Sequence, residues 1–447
     1  MNIRLYFYGG VEGQIGGNLI LLLTNNDGLI YDFGVNFKLR KMFFEYPYVT
    51  PRSLNDLIVT GNVPDLPIYT ISHNVPVSYA FISHAHVDHC GYVPLLNKSI
   101  KVYMGYMAYT IVKSKNEIRL RKTFENDFQN VNVEVFHSGR EIDTSLGTII
   151  PVHVDHSIPG SYGFISILGK RTLAYTGDFR LHGTKGYLTK DFIELAIREG
   201  VTDLIIEATN TVLSHITSEK EVMEKLFQVF SESKGLIILD YSESDVDRFK
   251  SIYKAAVKAG RKVVLSPRQA YLLYMMIKQE QEFSWTKLDL PSLDDKNIMV
   301  YNSCRSRNKA LKFLLKVLDQ DRFVTKVELI KEPEVYVFSA NFYNIEDIKS
   351  IDPPPGSVYI LSSSEPFDEE RELRFEKLIN WLDVLGIPMY HIHASGHASP
   401  LEIRMVVEEI NPEKVYIVHS ENPMLMAKYL GNIAKCIAPI RGKEYIL

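Results

Sequence analysis

The chain has 447 residues, 46% hydrophobic and 23% charged, with a formal net charge of -4. That is enough for two substantial cores of ordinary globular composition, and it excludes the overall basic signature of a nucleic-acid binder. No apolar run reaches the roughly 20 residues of a membrane span, and Met1 to Tyr6 reads as a strand, not a signal peptide, so the cytoplasm is the expected location.

Residues 1–34 read as hairpins. Leu19 to Leu23 and Leu29 to Tyr31 flank the turn Asn25-Asn26-Asp27-Gly28. From 79 to 206 short apolar strands recur: Tyr79 to Ile82, Ile149 to Val154, Phe164 to Ile167 and Thr172 to Tyr175. After 210 the rhythm changes. Ser218-Glu219-Lys220-Glu221 is a capping box that opens a helix to about Phe230. Strand Leu236 to Leu239, helix Asp245 to Ala259, strand Lys262 to Leu265 and helix Arg268 to Gln279 follow, the alternation of a parallel-sheet unit. Strand Val335 to Phe338 and helix Ile345 to Ser350 lead to the breaker Asp352-Pro353-Pro354-Pro355-Gly356. Beyond it come strand Val358 to Leu361, a long helix to Leu385, and strands at 389–392, 415–418 and 445–447. The α/β chain therefore parses into a sheet domain over 1–210, an inserted α/β domain over 211–357, and a return to the first domain over 358–447.

Cys90, Cys304 and Cys436 are too scattered for a zinc knuckle or a disulfide framework, so any metal falls to histidines and carboxylates. The strongest local signal is Ser83-His84-Ala85-His86-Val87-Asp88-His89, directly after an apolar strand. Residues two apart in extended chain point the same way, so His84 and His86 can share one metal. Asp88 and His89, past the turn, can aim at a second.

This H-x-H-x-D-H string resembles the signature of the metallo-β-lactamase superfamily, and further matching positions occur in the family's order. Asp32 resembles the aspartate that supports the ligand loop. His156, Asp178 and His419 resemble the remaining ligands. The resemblance implies one metal on His84, His86, His156 and Asp178, and another on Asp88, His89, Asp178 and His419. His153 competes with His156, but Ser157-Ile158-Pro159 follows His156 as in the family. His182 reads as structural, and His73, His137 and His215 carry no motif.

Three segments resemble the β-CASP nuclease branch. Leu204 to Asn210, with Glu207, is similar to motif A. His393-Ala394-Ser395-Gly396-His397 is similar to motif B, and His419 to motif C. The insert lies between the first two. Gly9 to Asn18 and Gly177-Asp178-Phe179-Arg180 are similar to RNase J-type and archaeal cleavage and polyadenylation factor-like ribonucleases. The chain departs from bacterial RNase J at Leu361-Ser362-Ser363-Ser364-Glu365-Pro366 and at His419-Ser420-Glu421, and it stops soon afterwards, as a compact archaeal-type member would.

The resemblance implies a metallo-β-lactamase αββα sandwich carrying an inserted β-CASP domain, and a metal-dependent ribonuclease acting on single-stranded RNA. Two zinc ions are the expected cofactor because imidazole dominates, with manganese as the alternative. Asp178 would hold the attacking water. His397 would stabilise phosphate oxygens or protonate the leaving oxygen, with Glu207 keeping it charged. Ser395 and the Gly396 backbone, Ser362, Ser363 and Ser364, and Arg248 are the candidate phosphate contacts. Lys38, Arg40 and Lys41 form one of several basic clusters, each more often a solvated face than a nucleic-acid patch. A 5′-to-3′ exonuclease is the first expectation and an endoribonuclease the second. An acyl or thioester hydrolase and a non-catalytic subunit are the outside alternatives. Homodimer and membership of an RNA-processing complex both stay open.

Overall fold

The computed structural model describes residues 2–212, 217–282, 287–303, 308–363 and 369–447. They form two compact units. One comprises Met1–Asn116, Arg121–His215 and Gly396–Leu447, the other Glu117–Leu120 and Ile216–Ser395.

The first unit holds two seven-stranded sheets. One runs in the order Glu444–Ile446, Arg4–Gly9, Leu19–Leu23, Gly28–Tyr31, Tyr79–Ile82, Lys101–Gly105, Val133–Phe136. The other runs Lys435–Ile437, Lys414–Val418, Asp203–Glu207, Arg171–Tyr175, Tyr162–Leu168, Gly147–His153, Ile142–Thr144. Alternate side chains of a strand point to opposite faces. Phe7, Tyr31, Phe81 and Tyr103 of the first sheet thus meet Phe164, Tyr175, Ile205 and Tyr416 of the second in one core. Aromatic rings fill that layer, with Tyr31 stacked on Phe164 at 5.2 Å. The opposite face of the second sheet is covered by helices Gly186–Arg198 and Pro400–Ile410, through Phe192, Ile193, Ile403 and Val407. In the first sheet Leu21, Ile30, Ala80, Ile82 and Met104 are also buried. Burial of both faces explains why Leu19–Leu23 reads as an unbroken apolar run, not an alternating one. This is the α/β sandwich of the metallo-β-lactamase fold.

Helices Tyr106–Ile118 and Gly186–Arg198 leave little trace in the sequence. The first follows its strand with no turn residue between them, and the second starts on a glycine with no capping side chain.

The second unit is one parallel sheet in the order Phe323–Val324, Ile298–Tyr301, Lys262–Leu265, Tyr336–Ser339, Ile237–Asp240, Val358–Leu361, Met389–His391. Helices cover both faces, Glu219–Glu232 and Val246–Lys258 on one and Ile345–Ile351 and Glu369–Leu385 on the other. The expected capping box is formed, with Ser218 accepting from the Glu221 amide.

The return to the first domain, expected at 358, lies instead at Gly396. Val358–Leu361 pairs with Ile237–Asp240, and Met389–His391 pairs with Val358–Leu361, both in parallel. The proline-rich breaker ends only a helix. Asp352 caps Ile345–Ile351 in the left-handed region, at φ 51°, and the chain turns back into the same sheet.

Candidate metal centre

The candidate ligands and the supporting Asp32 lie at or beyond the carboxyl ends of strands. Asp32 follows Gly28–Tyr31 and His84 follows Tyr79–Ile82. His156 lies beyond Gly147–His153, Asp178 beyond Arg171–Tyr175, and His419 directly after Lys414–Val418. In each sheet these strands run parallel, directly or through an antiparallel neighbour, so their ends share one edge. Parallel strand ends are where open α/β sheets gather functional groups.

Two sets of donor atoms converge there. His84 Nε2 and His156 Nε2 lie 3.0 and 3.1 Å from His86 Nδ1, and 3.6 and 3.9 Å from Asp178 Oδ2. In the second set, His419 Nε2 lies 3.3 Å from His89 Nε2 and 3.2 Å from Asp88 Oδ2. Asp178 Oδ2 adjoins this set as well, 3.1 Å from His89 Nε2. Ring nitrogens aimed at one point repel unless a cation lies among them. Asp178 Oδ1 is buried and accepts no hydrogen bond from the described residues. An imidazole-rich set with one shared carboxylate fits a borderline divalent metal.

Protonation agrees with the first set. Burial, with the neighbouring histidines, holds His84 and His156 well below the ordinary histidine pKa, and burial lowers His86 to about 4. Their nitrogens are therefore neutral, as ligands must be. Burial opposes ionisation of Asp178, but His419, His89 and His397 outweigh it and keep the carboxylate charged. For His89, burial opposes protonation and Asp178 and Asp32 override it, so metal capture at this ring releases a proton.

A second layer fixes the rings. Asp32, fully buried at φ +58°, accepts from the Ser83 amide and hydroxyl at 2.7 and 2.8 Å and from Tyr175 Oη at 2.7 Å. His89 Nδ1 donates to the same carboxylate at 2.8 Å, which turns Nε2 toward the cluster. His156 Nδ1 donates to the Gly396 carbonyl at 2.6 Å. Gly396 has to be glycine: a Cβ there would meet Ser157 Oγ at 2.8 Å and His156 Cε1 at 3.2 Å. Gly34 is as tightly placed, since a Cβ would stand 1.5 Å from the Asp88 carbonyl oxygen.

Glu207 and His397 meet beside this cluster. His397 Nδ1 lies 3.0 Å from Glu207 Oε1 and 3.8 Å from Asp178 Oδ2. Burial disfavours the imidazolium, but Glu207, then Asp178 and Asp88, push its pKa up to about 9. The Phe179 amide and the Thr209 amide and hydroxyl hold the Glu207 carboxylate. His397 keeps 23% of its side chain exposed, whereas His84, His89, His156 and His419 keep at most 1%.

Comparison with known proteins is consistent with this geometry. Residues 388–432 match a family described as Zn-dependent metallo-hydrolase RNA specificity domain. Ribonuclease J 2 of Streptococcus pyogenes is 25% identical over 94% of this chain and 70% of its own length. Ribonuclease J of Thermus thermophilus is 27% identical over 94% and 68% respectively. That of Mycoplasma pneumoniae is 24% identical over 97% and 70%. The family match and the ribonuclease J relatives, similar over nearly all of this chain, support the β-CASP, RNase J-type metallo-β-lactamase family. A crystal structure of an Enterococcus faecalis protein of unknown function shares the fold, at TM-score 0.79, 20% identity and full coverage of both chains.

Two of the expected phosphate contacts are committed elsewhere. Arg248 is fully buried. Its guanidinium pairs with Glu219 at 2.8 Å and donates to the Ser362 carbonyl and hydroxyl at 2.6 and 2.8 Å and to the Ala394 carbonyl at 3.2 Å. Ser362 is 2% exposed and donates to the Ile392 carbonyl. Both are parts of a buried polar network that ties helix ends to strand ends, because a guanidinium without water needs every donor satisfied. Ser363 and Ser395 are half-buried, and Ser364 lies outside the described residues, as do Cys304 and His215. His153 stacks on Tyr162 with ring centroids 4.1 Å apart, and burial lowers it to about 3.

Sequence reasoning missed several residues that the structure places at the candidate site. Thr209 Oγ1 lies 2.9 Å from His419 Nδ1 and donates to Glu207 at 2.7 Å, so one hydroxyl joins a candidate ligand to the acid. Its position beside Glu207 in motif A was the available signal. Asn18, at the end of the glycine-rich opening stretch, and Tyr175, at the end of its strand, approach His89 and Asp32, but neither residue was singled out for a role in the sequence. His182 lies 3.0 Å from Glu402, which also accepts from the Leu181 and Ser399 amides. This bond joins the loop after Asp178 to the helix after His397.

Proposed function

We propose that the protein is a metal-dependent ribonuclease that hydrolyses phosphodiester bonds of single-stranded RNA, acting first as a 5′-to-3′ exonuclease. The observation that carries the reading is the Glu207–His397 pair, 3.0 Å apart, with His397 beside the shared carboxylate Asp178. A small acyl or thioester substrate has no need of a second, charged imidazole there, whereas a phosphodiester presents oxygens for it to neutralise. Near-full-length similarity to proteins named ribonuclease J supports the same reading, as does the RNA-specificity match at 388–432.

His84, His86, His156 and Asp178 would hold one zinc ion, and Asp88, His89 and His419 the other, with Asp178 shared. Such a pair supplies a nucleophile at neutral pH and offsets charge on the phosphate. The chain's own groups do the rest. Asp32, the Gly396 carbonyl and Thr209 hold His89, His156 and His419 in the productive orientation. Glu207 keeps His397 protonated, so His397 can donate to a phosphate oxygen or to the departing oxygen. Ser395 and Ser363 remain candidate phosphate contacts.

Endonucleolytic cleavage is the second reading, because the chain departs from bacterial RNase J in the stretch around Ser362 to Pro366. The test is digestion of one RNA carrying a 5′ monophosphate, triphosphate or hydroxyl. Mononucleotides released only from the monophosphate form support the exonuclease. Internal fragments from all three reverse the order. Hydrolysis of a thioester or lactam with no attack on RNA overturns the ribonuclease, and no turnover of any substrate by metal-loaded protein points to a non-catalytic subunit.

A further inference from the structure

Between Asn36 and Ser53 four cations, Lys38, Arg40, Lys41 and Arg52, stand against one acid, Glu45, in a chain whose net charge is -4. The same segment exposes contiguous apolar side chains. Met42 is 69% exposed, Tyr46 74% and Tyr48 83%, with Phe43 and Val49 about half exposed. Single exposed hydrophobes are ordinary on a surface, but a cluster of them marks a contact.

The segment is built firmly. Glu45 and Val49 exchange backbone hydrogen bonds at 2.9 and 2.7 Å, which presents Tyr46 and Tyr48 on a closed turn. Arg40 lies over the Phe44 ring at 5.8 Å and is itself fixed by Glu125 at 2.7 and 2.8 Å and by Tyr92 at 3.0 Å. The segment is also tied to the ligand turn. The Phe33 amide donates to the His89 carbonyl at 2.7 Å and the Val35 amide to the Val87 carbonyl at 3.0 Å. Helix Phe37–Phe43 follows directly, and its seven residues span about 10 Å. The aromatic turn thus stands one short helix away from His84 to His89.

We propose that Tyr46 and Tyr48, with Phe43, form a stacking platform for the bases of single-stranded RNA beyond the scissile bond, with Lys38 and Arg52 facing its phosphates. The proposal rests on the ribonuclease reading above. Aromatic faces stack any base regardless of sequence, and a phenol keeps its hydroxyl in water while its ring is covered. With Arg40 paired to Glu125, Lys38, Lys41 and Arg52 still outnumber Glu45 in this segment, and that surplus favours a polyanion over an apolar protein partner.

The test measures binding of fluorescent single-stranded oligoadenylates, and of an abasic oligomer of equal charge, to the full chain. Both tyrosines are exposed, so Tyr46→Ala/Tyr48→Ala should fold normally. It is expected to bind oligoadenylate about tenfold more weakly or worse, to bind the abasic oligomer as wild type does, and to hydrolyse bis(p-nitrophenyl) phosphate at the wild-type rate. Tyr46→Trp/Tyr48→Trp should restore binding. Unchanged oligoadenylate affinity in the alanine variant overturns the platform. So does wild-type self-association that the alanine variant abolishes without weakening RNA binding, since the turn would then be a protein interface. Wild-type protein that binds RNA through these tyrosines yet cuts none overturns the ribonuclease reading and leaves the platform standing.

Discussion

At the scale of the residue, burial alone would strip the proton from His397, and Glu207 at 3.0 Å reverses that. With its pKa pushed up to about 9, His397 is charged at neutral pH and discharges as pH rises through that value. Turnover should therefore fall on the alkaline side as His397 discharges. In Glu207→Gln the fall should move toward lower pH, because the largest raising influence is gone, and a pH–rate profile of both proteins checks it. His397→Ala should lose about 10²- to 10⁴-fold in kcat while elemental analysis finds unchanged metal. Loss of metal would make His397 a ligand, a role its position between Asp178, Glu207 and His419 also permits. Asp32 touches only the back of His89 and its neighbours. Asp32→Ala should weaken metal binding about 10- to 100-fold, read by competition with a chromogenic chelator.

At the scale of the element, the second unit depends on a buried charge pair. Arg248→Met leaves Glu219 ionised and the Ser362 and Ala394 carbonyls without their donor, at a cost of about 3–5 kcal/mol in denaturant unfolding. Arg248→Met/Glu219→Leu should recover part of the loss, since no buried carboxylate is then left without its partner while the two carbonyls still lack a donor. Strand Ile237–Asp240 ends on a half-buried acid. Burial raises Asp240 to about 6, although Tyr359 donates to it at 3.0 Å. The unfolded chain ionises this group first as pH rises, so stability is lost between about pH 4 and pH 6 and stays lost above. Asp240→Asn should raise the Tm at about pH 7.5 and leave it nearly unchanged at about pH 4, as a pH series of melts would show. These elements were well marked in the sequence: a capping box at Ser218, strands of four apolar residues, and a proline-rich stop. Proline and glycine report that a helix ends but carry no information on which sheet the next strand joins, so the breaker after Asp352 could not locate the return at Gly396.

At the scale of the whole molecule, the candidate ligands come from segments as far apart as His84 and His419, and the cluster exists only when both sheets of the first unit are formed. Chelation should lower the melting transition of that unit, because buried imidazoles and carboxylates lose the cation that offsets them, and readdition of zinc should restore it. A transition that ignores chelator would overturn the metal centre. Local chemistry by itself determined the compact string from His84 to His89 and the alternation of strands and helices in the insert, since spacing two and capping patterns act within a few residues, whereas the strand-end acids Asp178 and Glu207 were legible only through the family resemblance of their segments. The rest was decided by the tertiary structure. Thr209, Asn18 and Tyr175 acquire their partners only through packing of separate strands, and Arg248 and Ser362 pass from solvent-facing candidates to buried struts because the sheet and its helices close over them. A polar side chain looks the same in sequence whether water or a buried carbonyl will satisfy it, and only the folded environment distinguishes the two.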